Sequence, residues 1–255
     1  MKLEVFCIKC FPLCKLHRPN KYYKINIQDT QVYSLKCEHG HETTIGMQQS
    51  KFELLFELGC HAAADGYYRE AISSFAAALE RFYEILIRSV LYEQKIPEQV
   101  IESMWKPLSN SSERQLGAYI SLFTISIGSP PPLLNEKSVN LRNRAVHKGY
   151  IPTRAETISY GQQVLNLIKS NEEAIRGKLE TGINEALMNE YFNSTKGLDL
   201  SNGYQSSIYT LIVFSVNQNP TPPRRDLDTH IRLLEQIREM TTTEMPAPGP
   251  QPRIV

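Results

Sequence analysis

The sequence predicts a mainly α chain, an up-and-down helical bundle with a small N-terminal β element and a loosely defined C-terminal extension. Three observations predict it. Apolar residues recur at three- and four-residue spacing over most of 52–175, alternating β-branched and aromatic residues crowd the first fifty positions, and four of the five cysteines fall within the first forty. With 255 residues, 41% hydrophobic and 22% charged, there is material for one sizeable core plus an appendage. Four segments follow: 1–50 as the β element, 51–176 as the bundle, 177–243 as an extension with a strand and an amphipathic helix, and 244–255 as a disordered tail.

In the first segment Cys7-Ile8-Lys9-Cys10 is a CxxC pair, and after 26 intervening residues comes Cys37-Glu38-His39-Gly40-His41. Tyr23 to Ile27 and Val32 to Leu35 alternate as strands do, and Leu3 and Val5 lead into Cys7 as a third strand. Two ligand-bearing turns joined by strands are how a zinc ribbon is built. So small a unit buries too little apolar surface to fold unaided, and tetrahedral Zn²⁺ held by thiolate and imidazole supplies the missing stability. Cys7, Cys10, Cys37 and His41 are the expected ligands, with His39, Cys14 and His17 as alternatives. Four ligands leave no open position, so the site is expected to be structural. The odd cysteine total, without a secretion signal, favours metal binding or free thiols over disulfides.

The bundle is read helix by helix. Phe52, Leu55, Phe56, Gly59 and Ala63 mark a first helix that Asp65-Gly66 interrupts. A longer one carries Ile72, Phe75, Leu79, Phe82, Leu86 and Val90 on one face, with Ala76, Glu80, Tyr83 and Ile87 beside it. Pro97 opens a short helix with Ile101 and a core Trp105. Another starts near Ser112 with Leu116, Ile120 and Phe123 inward, and Gly128 to Pro132 forces a loop. Thr153-Arg154-Ala155-Glu156 is a capping box for a helix reaching about 176. Beyond it a helix can continue through Leu179, Ile183 and Leu187. Ile208 to Val216 suits a buried strand, Asn219 to Pro223 a linker, and Asp226 to Glu239 an amphipathic helix.

Between the loop and the capping box lies Val139 to Thr153. Leu141, Ala145 and Val146 have helical spacing, Gly149 suits a left-handed cap, and Pro152 stops any continuation, so this helix ends within a turn of His147. Asn143 and His147 share a face, and Arg142 reaches the same spot. A permanent positive charge beside a titratable imidazole can neutralise a phosphate and move a hydroxyl proton. Glu80, on the shoulder of an apolar stripe, needs a cationic partner. Glu84 has one nearby in Arg88.

Arg142-Asn143-x-x-x-His147, followed by Lys-Gly-Tyr-Ile-Pro-Thr, resembles the motif helix of the HEPN superfamily, most closely over 140–155 and more broadly over 52–175. The resemblance implies a helical bundle and metal-independent RNA cleavage through the 2′-hydroxyl by Arg142, His147 and Asn143. It also implies an acid from an earlier helix, matched here by Glu80, and a homodimer that pairs two motif helices. Such nucleases serve as defence or toxin effectors, so a regulatory or antitoxin partner is expected besides RNA. The alternative is a non-catalytic HEPN dimer binding nucleic acid or acting as an adaptor through its zinc ribbon.

A net charge of +1 means that any RNA contact must be a local patch. No apolar run is long enough for a membrane span, and Lys2, Glu4 and Cys7 interrupt any secretion-signal core, so a cytoplasmic protein is expected. The sequence has no internal repeat and no Walker-type phosphate loop.

Overall fold

The computed structural model describes residues 2–10, 21–30, 32–196, 204–207 and 226–243. Four strands come first: β1 (Lys2–Val5), β2 (Tyr23–Asn26), β3 (Val32–Lys36) and β4 (Glu42–Met47). The helices follow as α1 (Lys51–Ala64), α2 (Tyr68–Glu93), α3 (Glu98–Leu108), α4 (Ser112–Ile127), α5 (Glu136–His147), α6 (Arg154–Ile175) and α7 (Glu180–Thr195). A short β5 (Tyr204–Ser207) and a last helix α8 (Leu227–Thr243) complete the described residues. The protein is mainly helical, as its apolar periodicity predicts. No helix among the described residues is long and apolar enough to cross a membrane.

The long helix α2 is the axis of the bundle, packing against α1, α4, α5, α6 and α7. Ile72, Phe75, Leu79, Phe82, Leu86 and Val90 are all buried along it, the stripe read from the sequence. The turn before α2 is set by Gly66 at φ +79°, and both partners of the Thr153/Glu156 capping box are in place at the start of α6.

Two features differ from the reading of the sequence. The inward face of α4 is Gln115, Tyr119 and Phe123, with Leu116 at the surface, one position round from the expected stripe. Tyr119 decides this orientation: its ring stacks on Tyr83 at 4.1 Å and its hydroxyl donates to Asn171 Oδ1 at 2.6 Å. The second difference is the extent of the core. Leu179, Ile183 and Ala186 of α7 and Leu227 and Ile231 of α8 belong to the same apolar cluster as α1 to α6, so packing runs well past residue 176.

The β region has two small sheets. β1 pairs antiparallel with β2, while β3 pairs antiparallel with β4, and β4 also takes β5 in parallel. Val5, Cys7, Tyr33, Leu35, Cys37, Ile45 and Met47 form its core, which closes onto Leu54 of α1. The expected strand over 208–216, the linker, the tail, Cys14 and His17 lie outside the described residues.

Candidate functional site

The N-terminal turns bring four predicted ligands together. After β1 the chain turns so that Cys10 N–H donates to Cys7 carbonyl at 3.1 Å, and after β3 a second turn is closed by Gly40 N–H to Cys37 carbonyl at 2.9 Å, with Gly40 at φ +78°. Cys10 Sγ lies 3.9 Å from Cys37 Sγ and 3.3 Å from His41 Nδ1, and Cys7 Sγ lies 3.8 Å from the same nitrogen. One donor atom from each of Cys7, Cys10, Cys37 and His41 falls within 4.8 Å of every other, so the cluster can hold a metal ion. His39 is exposed, 3.5 Å from Cys10 Sγ with its ring 6.3 Å from that of His41, which places it beside the set.

The thiols of the cluster strongly influence one another's titration. Burial pushes the Cys37 thiol up, but backbone N–H groups of His39 and His41 and the neighbouring thiols outweigh it and bring it down to about 6. Burial and hydrogen bonds to Cys7 and Cys37 push Cys10 up to about 12. The values belong to the sulfur cluster as a unit, in which the first negative charge settles where backbone donors converge.

The second assembly sits where α5 crosses α2. Arg142 donates to Glu80 Oε1 at 2.7 Å through one guanidinium nitrogen and to Asn143 Oδ1 at 3.0 Å through another. Glu80 thus finds its cation across 62 residues of sequence, and Glu84 is taken by Arg81 and Arg88 at 2.5 and 3.0 Å. The guanidinium remains about a quarter exposed and edges a cleft of about 280 Å³ walled by Leu79, Tyr83, Leu134 and Tyr160. Burial pushes the Tyr83 and Tyr160 phenols far up, so this wall stays neutral. His147 is the last residue of α5. It is exposed, makes no side-chain hydrogen bond to a described residue, and does not line the cleft.

The sequence reading missed Arg69. From the first turn of α2 its Nε donates to the Ala145 carbonyl at 3.0 Å, bringing a partly exposed cation to the end of α5. Arg144, stacked 3.6 Å over Tyr150, and exposed Lys148 stand there too. The run Arg144 to Lys148 is visible in the sequence, but nothing local links it to Arg69. Arg69 is paired with Glu70 at 3.5 Å and Glu156 lies near Arg144, so the end of α5 gathers cations with acids among them. Comparison of the chain with family models, curated proteins and solved structures found no match.

Proposed function

We propose that the protein is a metal-independent endoribonuclease of HEPN type, a defence or toxin effector that acts as a homodimer in the cytoplasm. The observation that carries this reading is the meeting of Glu80 and Asn143 on the Arg142 guanidinium, about a helical turn from an exposed His147 that makes no side-chain hydrogen bond to a described residue. Arg142 would offset charge on the phosphorane, and His147 would take the 2′-hydroxyl proton or give one to the leaving 5′-oxygen. Asn143 and Glu80 hold the guanidinium plane in one orientation. One Arg and one His per chain make a sparse site, which a second copy across the α5 faces would complete. A toxic nuclease also needs restraint, hence a regulatory or antitoxin protein as a further partner.

The N-terminal cluster is assigned to structural Zn²⁺ on Cys7, Cys10, Cys37 and His41. At Zn–S of about 2.3 Å a tetrahedral centre sets sulfurs roughly 3.8 Å apart, and the Cys10–Cys37 separation of 3.9 Å matches. The ion would fasten the two turns.

The test is RNA cleavage. Activity should survive EDTA in short assays, leave 2′,3′-cyclic phosphate or 3′-phosphate ends, and spare DNA, which lacks the internal nucleophile. A requirement for Mg²⁺, or equal cleavage of DNA, would remove the proposal. The alternative, a non-catalytic dimer binding through its ribbon, draws on the same ion pair, because Glu80 already neutralises Arg142. It predicts RNA binding without cleavage and loss of binding when the ribbon thiolates are replaced.

A further inference from the structure

We infer a second metal site, made by Glu57 and Cys60 of α1 with His230 of α8, that takes a borderline-soft divalent cation such as Zn²⁺ and clamps α8 to the bundle. Glu57 and Cys60 are three residues apart and share the face of α1 that meets α8. His230 arrives from the first turn of α8, with Nε2 2.8 Å from Glu57 Oε1. One oxygen, one sulfur and one nitrogen lie within 4.8 Å of one another, and Glu57 and Cys60 are both buried.

The donor set selects the class of ion. Carboxylate, thiolate and imidazole together suit Zn²⁺ and its neighbours, whereas Mg²⁺ and Ca²⁺ want oxygen alone. A plain Glu57–His230 ion pair explains two of the three residues and leaves the thiol beside it as packing. A divalent cation accounts for all three, because its two positive charges balance the buried carboxylate of Glu57 and thiolate of Cys60. Binding is a simple exchange without redox change. Cys60 loses its thiol proton, Nε2 of His230 loses any proton it shares with Glu57, both protons leave to solvent, and the metal bonds take their place. His61 stays outside the set: its Nδ1 faces Arg238 at 2.9 Å, and its Nε2 is 3.8 Å from Glu57.

The site has a structural consequence that needs no catalytic role. α8 is also tied by partly exposed ion pairs from Arg154 to Asp228 and Glu235 and from Arg238 to Asp65, and by hydrogen bonds from Leu227 N–H to Gln162 and between Arg238 and His61. Exposed pairs hold weakly. A metal at Glu57, Cys60 and His230 would fix the first turn of α8 directly to the core.

The test uses the full chain and Co²⁺, whose bond to a thiolate gives a charge-transfer band. In C7S/C10S, which disables the N-terminal cluster, Co²⁺ should still bind at one equivalent with absorbance for a single thiolate. Adding C60S should abolish that band, and H230Q should weaken binding at least tenfold while circular dichroism stays unchanged. Metal should also slow amide exchange over 227–239 in C7S/C10S. If C7S/C10S binds no Co²⁺, or binds it with a band that survives C60S, the site is only an ion pair beside a buried thiol and the inference falls.

Discussion

At the scale of single residues, Arg142 and His147 carry different burdens, and substitution separates them. If the chain is the nuclease proposed, His147→Ala removes its proton carrier and should lower the cleavage rate about a hundredfold or more. Arg142→Lys keeps the charge but loses the planar fork that meets Glu80 and Asn143 together, so its loss should be nearly as large. Glu80→Gln should cost less, and a rate unchanged within twofold would make the pair purely structural. Buried carboxyls give a separate prediction. Burial lifts Glu53 from the usual 4.5 up to about 8 and Glu190 up to about 7, with nearby acids adding to both. An acid with a raised folded-state pKa binds its proton more tightly when folded. The stability from that proton is complete below about pH 4.5 and drains away as pH rises towards 8. Calorimetry should find Tm falling from pH 5 to pH 8.5 and a flatter profile in Glu53→Gln, whose amide oxygen can still accept the Ser50 N–H. A Tm that rises over this window would contradict the assignment. Arg142, Asn143 and His147 were legible because one helix turn displays them. The partner of Arg142 needed the fold, since Glu80 lies 62 residues away.

At the scale of elements, close approach of helices sets what the chain tolerates. Gly182 brings α7 so near α2 that a Cβ would stand 2.0 Å from the Ser89 carbonyl oxygen, and its N–H donates to Glu93 at 2.7 Å. Backbone cannot step aside as a side chain can, so Gly182→Ala should destabilise by about 3 kcal/mol or more. Gly117 of α4 meets nothing within 4 Å, and Gly117→Ala should instead stabilise by about 0.5–1 kcal/mol. Urea titration of both variants checks the pair. The same packing explains what the sequence hid. Helix periodicity ranks residues by apolarity, so it turned Leu116 inward. The fold buries Gln115 and Tyr119, whose polar ends find Ser109 and Asn171. It likewise placed the end of the bundle near 176, because nothing local tells that Leu179, Ile183 and Ala186 lie against α2. The N-terminal turns were the opposite case. CxxC and C-x-x-G-H spell local geometry, and the fold assembles Cys7, Cys10, Cys37 and His41 as read. If the cluster holds a metal, chelation should raise amide exchange throughout β1 to β4 and leave α2 and α6 protected, since among the described residues only Leu54 of the helices joins the β-region core. Cooperative melting of the helices on chelation would show that the ribbon is integral to the bundle.

At the scale of the whole molecule, the nuclease reading stands or falls with association. In a lone chain Arg142 is already engaged by Glu80, and His147 stands at a helix end outside the Arg142 cleft, too little to hold a phosphate and move two protons. Exposed apolar side chains stand among the polar ones on this surface. Val139, on the same face of α5 as Arg142 and Asn143, is about two-fifths exposed, and Leu133 and Ile151 at either end of that helix are more so. A two-fold axis through this face would bury Val139 twice over and bring both copies of Arg142 to one groove, with both copies of His147 near its ends. A stable contact needs at least about 1,000 Å² of buried surface, so the contact must extend beyond the 12-residue α5 onto its flanking loops. Light scattering should therefore give about 58 kDa, twice the 29.1 kDa chain. Val139→Glu places two like charges across the axis without touching the core. It should yield a folded monomer that cleaves RNA at least tenfold more slowly, and wild-type activity per chain should fall on dilution as dimers separate. A Val139→Glu monomer with full activity would show that one chain is sufficient, and Arg142 and His147 would then need a third catalytic group from within it.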